Sequence, residues 1–416
     1  MPADKDVRVF AGRKAMGIIM ANIKIKDGIW SVGVINPNLR VFDIVMKTEY
    51  GTTYNSYLIQ GEKNVLIDTV HHRFLDEYVE NIESIIPITE IDYIVLNHTE
   101  PDHSGSLAEI LKINPNITVI ASAPAIKYLG AITNADFKRM TVKTGDKLDI
   151  GGMNLEFVTA PLLHWPDSMF VYIPEKRVVF TCDFLGCHYC EPRLLNNKVV
   201  YPKKYMDAFK YYYDTIMSPF KPFVLQGLAK LDEMDFDVIC PSHGPVLVEN
   251  TDKLMGLYRE WSTKEEADKN VAILYVSAYG YTEEMAKELL KTLEGEGVKA
   301  QAYDIIEYEP SFIAGKINSA DGVLIGSPTI NRDALKPVWD TISSIDAINA
   351  KGKPFGVFGS YGWSGEAVPA LCERLKSLGV NVLGEGVRAN FKPSEEELGK
   401  TREYGKAFAE LMRKKA

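Results

Sequence analysis

The sequence has little of several features that would each indicate a particular class of protein. Its 416 residues include five Cys, too few for a disulfide framework, so a reducing compartment such as the cytoplasm is expected. No run of about 18 or more apolar residues occurs, which predicts no membrane span. Lys and Arg (47) are outnumbered by Asp and Glu (56), and no basic stripe indicates a nucleic-acid partner. We therefore expect a soluble cytoplasmic protein without nucleic-acid or membrane partners.

The composition that remains is that of an ordinary folded protein. Hydrophobic residues make up 46% of the chain and charged residues 25%, which is enough apolar material for more than one core. At about 150 residues per domain, this length predicts two or three domains. The pattern of the chain changes near residue 250. We predict an unassigned N-terminal extension (1–21), a first domain (22–250), a linker helix (251–269) and a second domain (270–416).

The first domain alternates short apolar or β-branched runs with helical stretches. Ile91–Leu96 is the most continuous run, which predicts a strand buried on both faces. Such alternation favours an α/β sandwich with mixed sheets. Strands are predicted at 30–35, 55–59, 64–67, 91–96, 117–120, 155–159, 169–173, 178–181 and 238–239, and helices at 73–84, 106–113 and 203–233.

The second domain repeats one unit, a continuous apolar strand followed by a helix. This spacing predicts a doubly wound parallel sheet. Strands are predicted at 271–276, 322–326, 354–358 and 381–383. Ser394, with Glu397 three residues later, predicts a capping box at the start of the last helix.

A dense group of potential metal ligands follows the strand that ends at Leu96. His98, Glu100, Asp102 and His103 fall within six residues. Residues two apart in an extended loop project to the same side, so the first three are expected to converge. Pro101 should keep the preceding residue extended. Such density predicts a metal site.

Three more potential ligands stand at the ends of predicted strands. They are His164, Asp183 and His243. Four imidazoles and three carboxylates are too many for one tetrahedral zinc and suit two metals that share a bridging Asp. Carboxylates also favour iron or manganese over zinc.

This series resembles the metal ligands of the β-lactamase-like fold. Glu100 stands where the zinc hydrolases of that fold usually have His, and in this it is similar to the flavodiiron proteins. The resemblance implies an αββα metallo-β-lactamase-like domain with two iron ions. It assigns one iron to His98, Glu100 and His164, the other to Asp102, His103 and His243, and the bridge to Asp183.

Three loops of the second domain predict a flavin site. Each follows a parallel strand, so they should meet at the carboxyl edge of the sheet. The first loop is rich in small and hydroxyl residues that suit a phosphate at a helix N-terminus. It lacks the Gly-Lys-Ser/Thr motif of a loop that binds a nucleoside triphosphate. Aromatic residues in the third fit an isoalloxazine ring. The predicted residues are Ser277, Ala278, Tyr279, Gly280, Tyr281 and Thr282; Ser327, Pro328, Thr329, Ile330 and Asn331; and Ser360, Tyr361, Gly362, Trp363, Ser364 and Gly365.

The second half resembles flavodoxin, which binds FMN, and the order of the two halves is that of the flavodiiron proteins. The resemblance implies an oxidoreductase that reduces O2 to water, NO to nitrous oxide, or both. It also implies an external electron donor, a rubredoxin or a reduced deazaflavin coenzyme, and a head-to-tail homodimer or a homotetramer. The alternatives are a zinc hydrolase fused to a flavodoxin and a non-catalytic electron carrier.

One motif fits neither site directly. Cys187-His-Tyr-Cys190 follows Asp183 closely, but a single Cys-x-x-Cys pair makes a poor zinc site. We interpret it as a loop beside the iron site, with His188 lining the pocket.

Overall fold

The computed structural model describes residues 22–42, 46–263 and 270–414. The chain forms two compact units, Met1–Thr263 and Lys264–Ala416. The predicted extension (1–21) and the end of the predicted linker (264–269) lie outside the described residues. Within the described ranges, no helix is long and apolar enough to cross a membrane.

The first unit is built from short strands and helices. Its described strands are β1 (Ile23–Lys26), β2 (Ile29–Ser31), β3 (Val34–Asn36), β4 (Val41–Phe42), β5 (Met46–Lys47), β6 (Thr52–Tyr54), β7 (Tyr57–Ile59), β8 (Asn64–Ile67), β9 (Ile91–Leu96), β10 (Thr118–Ser122), β11 (Lys138–Val142), β12 (Lys147–Asp149), β13 (Asn154–Thr159), β14 (Met169–Ile173), β15 (Val178–Cys182) and β16 (Val238–Pro241). Its described α-helices are α1 (Leu75–Glu83), α2 (Pro101–Ser104), α3 (Leu107–Ile113), α4 (Ala123–Thr133), α5 (Pro202–Tyr212), α6 (Lys221–Asp232) and α7 (Thr251–Ser262).

Two mixed sheets form the centre of this unit. One has seven strands in the order β1-β2-β7-β8-β9-β10-β11, and the other has five in the order β12-β13-β14-β15-β16. Alternate residues of β8 point to opposite faces: Val65 and Ile67 pack toward the second sheet, and Leu66 packs under the helices. Helices α1, α3 and α4 cover the first sheet, and α5 to α7 cover the second. The predicted α/β sandwich with mixed sheets is confirmed.

The prediction of one continuous strand over residues 30–35 is wrong, because the chain is interrupted at residues 32 and 33. The structure has β2 and β3 there instead, and they belong to different sheets. A Cβ on Gly33 would lie 2.2 Å from the carbonyl oxygen of Tyr54, so only glycine allows the chain to pass here.

The predicted strand 55–59 begins two residues later than expected, as β7, because Asn55 and Ser56 form the connection between β6 and β7. Between them, the Asn55 amide N–H donates to the carbonyl of Ser242 at 2.8 Å, and its side chain donates to the carbonyl of Pro241 at 2.8 Å. The chain leaves the sheet at this point to hold the loop that contains His243.

Helix α7 belongs to the first unit, so reading these residues as a linker is wrong. Leu254 and Tyr258 are buried in the same core as Leu228 of α6. The described charged residues of this helix lie on its exposed side. Burial of its apolar face, which a list of charges does not reveal, decides where the helix belongs.

The second unit alternates strands and helices. Its described strands are β17 (Asn270–Tyr275), β18 (Lys299–Asp304), β19 (Gly322–Gly326), β20 (Pro354–Tyr361), β21 (Asn381–Val382) and β22 (Val387–Asn390). Its described α-helices are α8 (Tyr281–Gly295), α9 (Pro310–Ser319), α10 (Lys336–Ser343), α11 (Ala367–Ser377) and α12 (Glu395–Lys414).

All strand pairs of the second unit are parallel, in the order β18-β17-β19-β20-β21, with β22 also on β20. Helices α8 and α12 cover one face, and α9 to α11 cover the other. This is the predicted doubly wound sheet. Strands β18 and β22 escaped prediction because two exposed residues interrupt each of them and no continuous apolar run marks them. The capping box is confirmed: the Glu397 N–H donates to Ser394 Oγ at 3.3 Å.

We predict that Tyr258→Ala destabilises the first unit alone. The ring is fully buried in its core, and such truncations cost about 3 kcal/mol or more. Hydrogen exchange of the β15 amides measures this loss, and hydrogen exchange of the β19 amides in the second unit should stay unchanged. Tyr258→Phe, which keeps the ring, and Arg259→Ala, which removes an exposed ion pair, should each cost less than about 1 kcal/mol. Unchanged β15 exchange in Tyr258→Ala would place α7 outside this core.

Candidate metal centre and flavin cavity

The seven predicted ligands lie at one edge of the first unit, in the loops that follow strands. His98 and Glu100 follow β9, and His164 lies between β13 and β14. Asp183 comes directly after β15, and His243 follows β16. The strands thus bring side chains up to 145 positions apart to one place, since 243 − 98 = 145.

Contrary to the prediction, the loop after β9 is not extended over its whole length. Glu100 is extended (φ −54°, ψ 142°), but Pro101 begins a single helical turn, α2, which contains Asp102 and His103. Proline at the first helical position has its φ already set for the turn. The predicted convergence of His98, Glu100 and Asp102 is therefore wrong, because the turn directs Asp102 elsewhere.

Two groups of side chains result, and Asp183 lies between them. Its Oδ1 is 3.3 Å from His103 Nε2 and 3.4 Å from His243 Nε2. Its Oδ2 is 3.6 Å from His164 Nε2 and 3.8 Å from His98 Nε2. Each carboxylate oxygen thus faces a different pair of imidazoles.

The other two acids each belong to one group. Glu100 Oε2 lies 3.2 Å from both His98 Nε2 and His164 Nε2. Asp102 Oδ2 lies 3.0 Å from His243 Nε2. The donor atoms of each group, one with His98, Glu100, His164 and Asp183 and the other with Asp102, His103 and His243, lie within 4.8 Å of one another.

Several of these donor atoms lack hydrogen-bond partners among the described residues and are placed to bind cations instead. Both carboxylate oxygens of Asp102 and Nε2 of His103 are buried and make no hydrogen bond. Buried polar atoms rarely go without a partner, and several that face one another are what a shared cation requires. Hard oxygens and neutral imidazoles together suit iron.

The electrostatics of the site also call for positive charge. Burial alone would lower the pKa of His164, but Asp183 and Glu100 outweigh it and raise that pKa to about 10. Burial would raise the pKa of Asp183, yet the surrounding imidazoles, His103 first, hold it well below its usual range. Metal cations can replace the protons that these imidazoles would otherwise take up.

A buried acid that the sequence reading missed fixes one ligand. His98 Nδ1 lies 3.1 Å from Asp167 Oδ1, and the Thr99 hydroxyl donates to Asp167 Oδ2 at 2.6 Å. A carboxylate behind an imidazole fixes the tautomer that leaves Nε2 free for a metal. Its signal was present: Asp167 comes three residues after His164.

Two further supports carry no signal in the sequence. His243 Nδ1 donates to the Thr53 carbonyl at 2.6 Å, which directs Nε2 into the site. The Tyr212 hydroxyl donates to Asp183 Oδ1 at 3.1 Å from helix α5. Nothing in the spacing of residues 53 and 212 relates them to the ligands.

His188 lies beside the centre and outside both ligand groups. Its ring centroid is 5.1 Å from that of His243 and 4.5 Å from that of Phe42. Its Nδ1 lies 2.9 Å from Thr52 Oγ1, and burial lowers its pKa well below the usual value, so the ring is neutral. Cys187 and Cys190 are free thiols.

A cavity of about 380 Å³ opens onto the metal ligands. Its lining includes the carboxylates of Glu100 and Asp102, the cation of Arg73 and several aromatic rings. His71, which the sequence reading treated as an ordinary loop residue, is part of the wall. The other aromatic wall residues are Phe42, Tyr54 and Phe74.

In the second unit, the predicted phosphate loop is shaped by its own hydrogen bonds. Ser277 Oγ accepts from the Glu283 N–H at 3.1 Å, and the Thr282 and Ser360 hydroxyls lie 2.8 Å apart. Gly280 has φ +84°, a left-handed conformation that glycine adopts without strain, just before α8. The loop thus forms the N-terminus of a long helix, which suits a phosphate.

A cavity of about 410 Å³ lies where the three loops meet. Tyr279 and Trp363, both on its wall, are 81% and 89% exposed. Large aromatic side chains so exposed beside a cavity fit a flat ring such as isoalloxazine. Trp363 is thus not a core residue.

The cavity contains most of the predicted ring contacts and three residues that were missed. The predicted residues on its wall are Tyr279, Tyr281, Pro328, Thr329, Ile330, Asn331, Ser360, Tyr361, Gly362, Trp363 and Ser364. The predicted residues that do not line it are Ser277, Ala278, Gly280, Thr282, Ser327 and Gly365. The missed ones are Arg332, Glu366 and Phe391. The first two directly follow predicted loops, whereas Phe391 follows the unrecognised strand β22.

Comparisons with known proteins agree with this architecture. The model of the ODP family beta lactamase matches residues 52–244, and that of flavodoxin matches residues 273–405. The chain is 51% identical over 402 residues to the flavo-diiron protein FprA2 of Clostridium acetobutylicum, covering 94% of this chain and 100% of that protein. The chain belongs to the flavodiiron protein family.

Other flavodiiron relatives extend the comparison. The rubredoxin oxygen:oxidoreductase of Desulfovibrio gigas has a similar structure (TM-score 0.71, 28% identity, 95% of this chain and 99% of that one). The anaerobic nitric oxide reductase flavorubredoxin of Aliivibrio salmonicida is 35% identical over 87% of this chain and 73% of that protein.

Membership of the family confirms two expectations. The fold is a metallo-β-lactamase-like domain followed by a flavodoxin-like parallel sheet. The chain is an oxidoreductase, which excludes a hydrolase joined to a flavodoxin. The flavodoxin-like half indicates FMN, and flavodiiron relatives carry a di-iron site.

We predict that Asp167→Ala weakens iron binding about 10- to 100-fold, because His98 loses the carboxylate that orients it. Iron retained after dialysis against a graded chelator series measures the affinity. Asp27→Ala, at an exposed acid paired with Lys24, is the matched control and should retain iron like the unmodified protein. Equal iron retention in both variants would contradict the assigned role of Asp167.

Proposed function

We propose that this flavodiiron protein reduces O2 to water, NO to nitrous oxide, or both, at a di-iron site that receives electrons through FMN. The observation that carries the proposal is the position of Asp183, whose two oxygens face separate pairs of imidazoles. A carboxylate so placed suits a bridge between two metal ions. The names of the relatives from Desulfovibrio gigas and Aliivibrio salmonicida support both substrates.

Each ligand then has a role. When bound, the two irons and FMN supply the electron transfer to the substrate. One iron would be held by His98, Glu100 and His164 and the other by Asp102, His103 and His243, and Asp183 would serve both.

The protein's own contribution is to hold the donors and to control access. Thr53 and Asp167 fix the rings of two ligands through their Nδ1 atoms. Both reductions consume protons, and the Tyr212 hydroxyl holds one at Asp183 Oδ1. The cavity that Glu100 and Asp102 line is large enough to admit small molecules, and neutral His188 lies at the side of the centre.

The partners are part of the proposal. An external donor, a rubredoxin or a reduced deazaflavin coenzyme, would reduce FMN. A head-to-tail homodimer, or a homotetramer built from it, would bring FMN of one chain to the irons of another. Exposed Trp363 and Tyr279 at the flavin cavity support such a contact. Five free cysteines favour a reducing compartment, the cytoplasm.

The decisive experiment uses purified protein reduced without oxygen. We expect about two irons and one FMN per chain, and consumption of O2 or NO when each gas is added separately. Gas electrodes and product analysis give the preference between them. Zinc in place of iron, together with no consumption of either gas, would overturn the proposal.

We predict that Asp183→Ala separates the two halves of the cycle. The second unit should still bind FMN and accept electrons from its donor, because the two units have separate cores. Reoxidation of the flavin by O2 should become slow, at least 100-fold as an order of magnitude for loss of a metal ligand. Stopped-flow absorbance measures this rate.

The complementary variant changes Ser277 and Thr282 to Ala together. It should keep its iron and lose reduction by the donor. Exchange of chains between the two variants should restore part of the activity if each active site is made from two chains. Fast flavin reoxidation in Asp183→Ala, with water still formed, would show that the iron site is not the catalyst.

A further inference from the structure

An ion pair on the wall of the flavin cavity has no role in the function proposed so far. Among the described residues that line this cavity, Arg332 is the only cation and Glu366 the only anion. Arg332 Nε donates to Glu366 Oε1 at 3.0 Å, and the Ser364 hydroxyl donates to the same oxygen at 2.6 Å. The pair thus connects the second and third flavin loops across the cavity.

The backbone presents Arg332 in an unusual way. Ile330 and Asp333 exchange both backbone hydrogen bonds, at 3.0 and 3.1 Å. Between them, Asn331 (φ +56°) and Arg332 (φ +63°) are both left-handed, as in a type I′ turn. Glycine is the usual residue at the second of these positions, and a long side chain there costs about 1 kcal/mol. A charged residue at such a position points to a function.

The turn is also anchored, so the cation has a fixed place. Asp333 Oδ1 accepts from the Trp339 indole N–H at 3.0 Å and from the Ala334 N–H at 2.8 Å. The Arg332 side chain nevertheless remains 76% exposed, which leaves its guanidinium free to contact a ligand in the cavity.

Arg332 lies where the flavin ring is expected and not where the phosphate is expected. Ser277 and Thr282 of the phosphate loop do not line this cavity, whereas Tyr279 and Trp363 do. Reduction of the ring by two electrons from the donor, with uptake of one proton, leaves one negative charge on it. A nearby cation stabilises that charge, and a nearby anion opposes it.

We propose that Arg332 contacts the isoalloxazine ring and raises the reduction potential of the bound FMN, and that Glu366 limits this rise. This inference rests on the proposed flavin site. Arg332 thereby helps to determine how readily the electron donor reduces the bound FMN.

The test replaces Arg332 with glycine, which suits the left-handed position and preserves the turn. We expect Arg332→Gly to fold with unchanged or raised Tm and to bind reduced FMN about tenfold more weakly relative to oxidised FMN. For a two-electron couple, that ratio is a fall of about 30 mV in the midpoint potential. Spectroelectrochemical titration of the FMN-loaded protein measures it, and Arg332→Lys should restore most of the potential.

Two further variants make the result specific. Lys336→Gln removes another exposed cation, paired with Asp340 and outside the cavity, and should leave the potential unchanged. Glu366→Gln should shift the potential in the opposite direction, upward. An unchanged potential in Arg332→Gly, or an equal fall in Lys336→Gln, would overturn the inference while the proposed function stands. Absence of FMN from the unmodified protein would instead contradict the proposed function.

Discussion

The arrangement of the metal ligands in the first unit depends on one group, the buried carboxylate of Asp183. A charged group without partners is costly in a protein interior, and this one is surrounded by four imidazoles within 3.8 Å. Two of these imidazoles, those of His98 and His243, are themselves held at Nδ1 by Asp167 and by the Thr53 carbonyl. Positions of the donors are therefore fixed by the fold before any cation arrives, which limits the entropy that binding has to overcome.

The sandwich architecture provides this rigidity. Each ligand follows closely on a strand whose own residues are buried between two sheets or under a layer of helices. Because close-packed interiors have low compressibility, the strand ends that carry the ligand loops are held in place. The fold can thus hold acids and imidazoles together in its interior, although the free-energy cost of removing them from water favours their exposure.

The flavin site of the second unit follows a different physical logic. Its loops also stand at the carboxyl edge of a sheet, but its main contacts, Tyr279 and Trp363, are exposed. A flat ring needs an apolar surface and access to a donor, so this site is open where the metal site is enclosed. Electrons can enter at an open surface, whereas an enclosed site keeps water away from its ligands.

Prediction from sequence succeeded where a signal is local. The continuous apolar strands β9 and β19 were recognised because both of their faces are buried. Strands β18 and β22 were not recognised, since exposed residues interrupt both of them, and with β22 the position of Phe391 on the cavity wall was also missed. Helix α7 was read as a linker from its charges, although its apolar face packs in the first core.

By itself, the sequence determined the class of each half, the family resemblance and the set of candidate ligands, because these follow from periodicity and from residue types at short spacing. How those ligands divide was an implication of the resemblance, and only the tertiary structure gave that division a physical basis. The turn at Pro101 sends Asp102 and Glu100 to different groups, and Tyr212 reaches Asp183 from a helix 29 residues away. Such contacts depend on the distances between packed elements, which the order of residues along a chain does not specify.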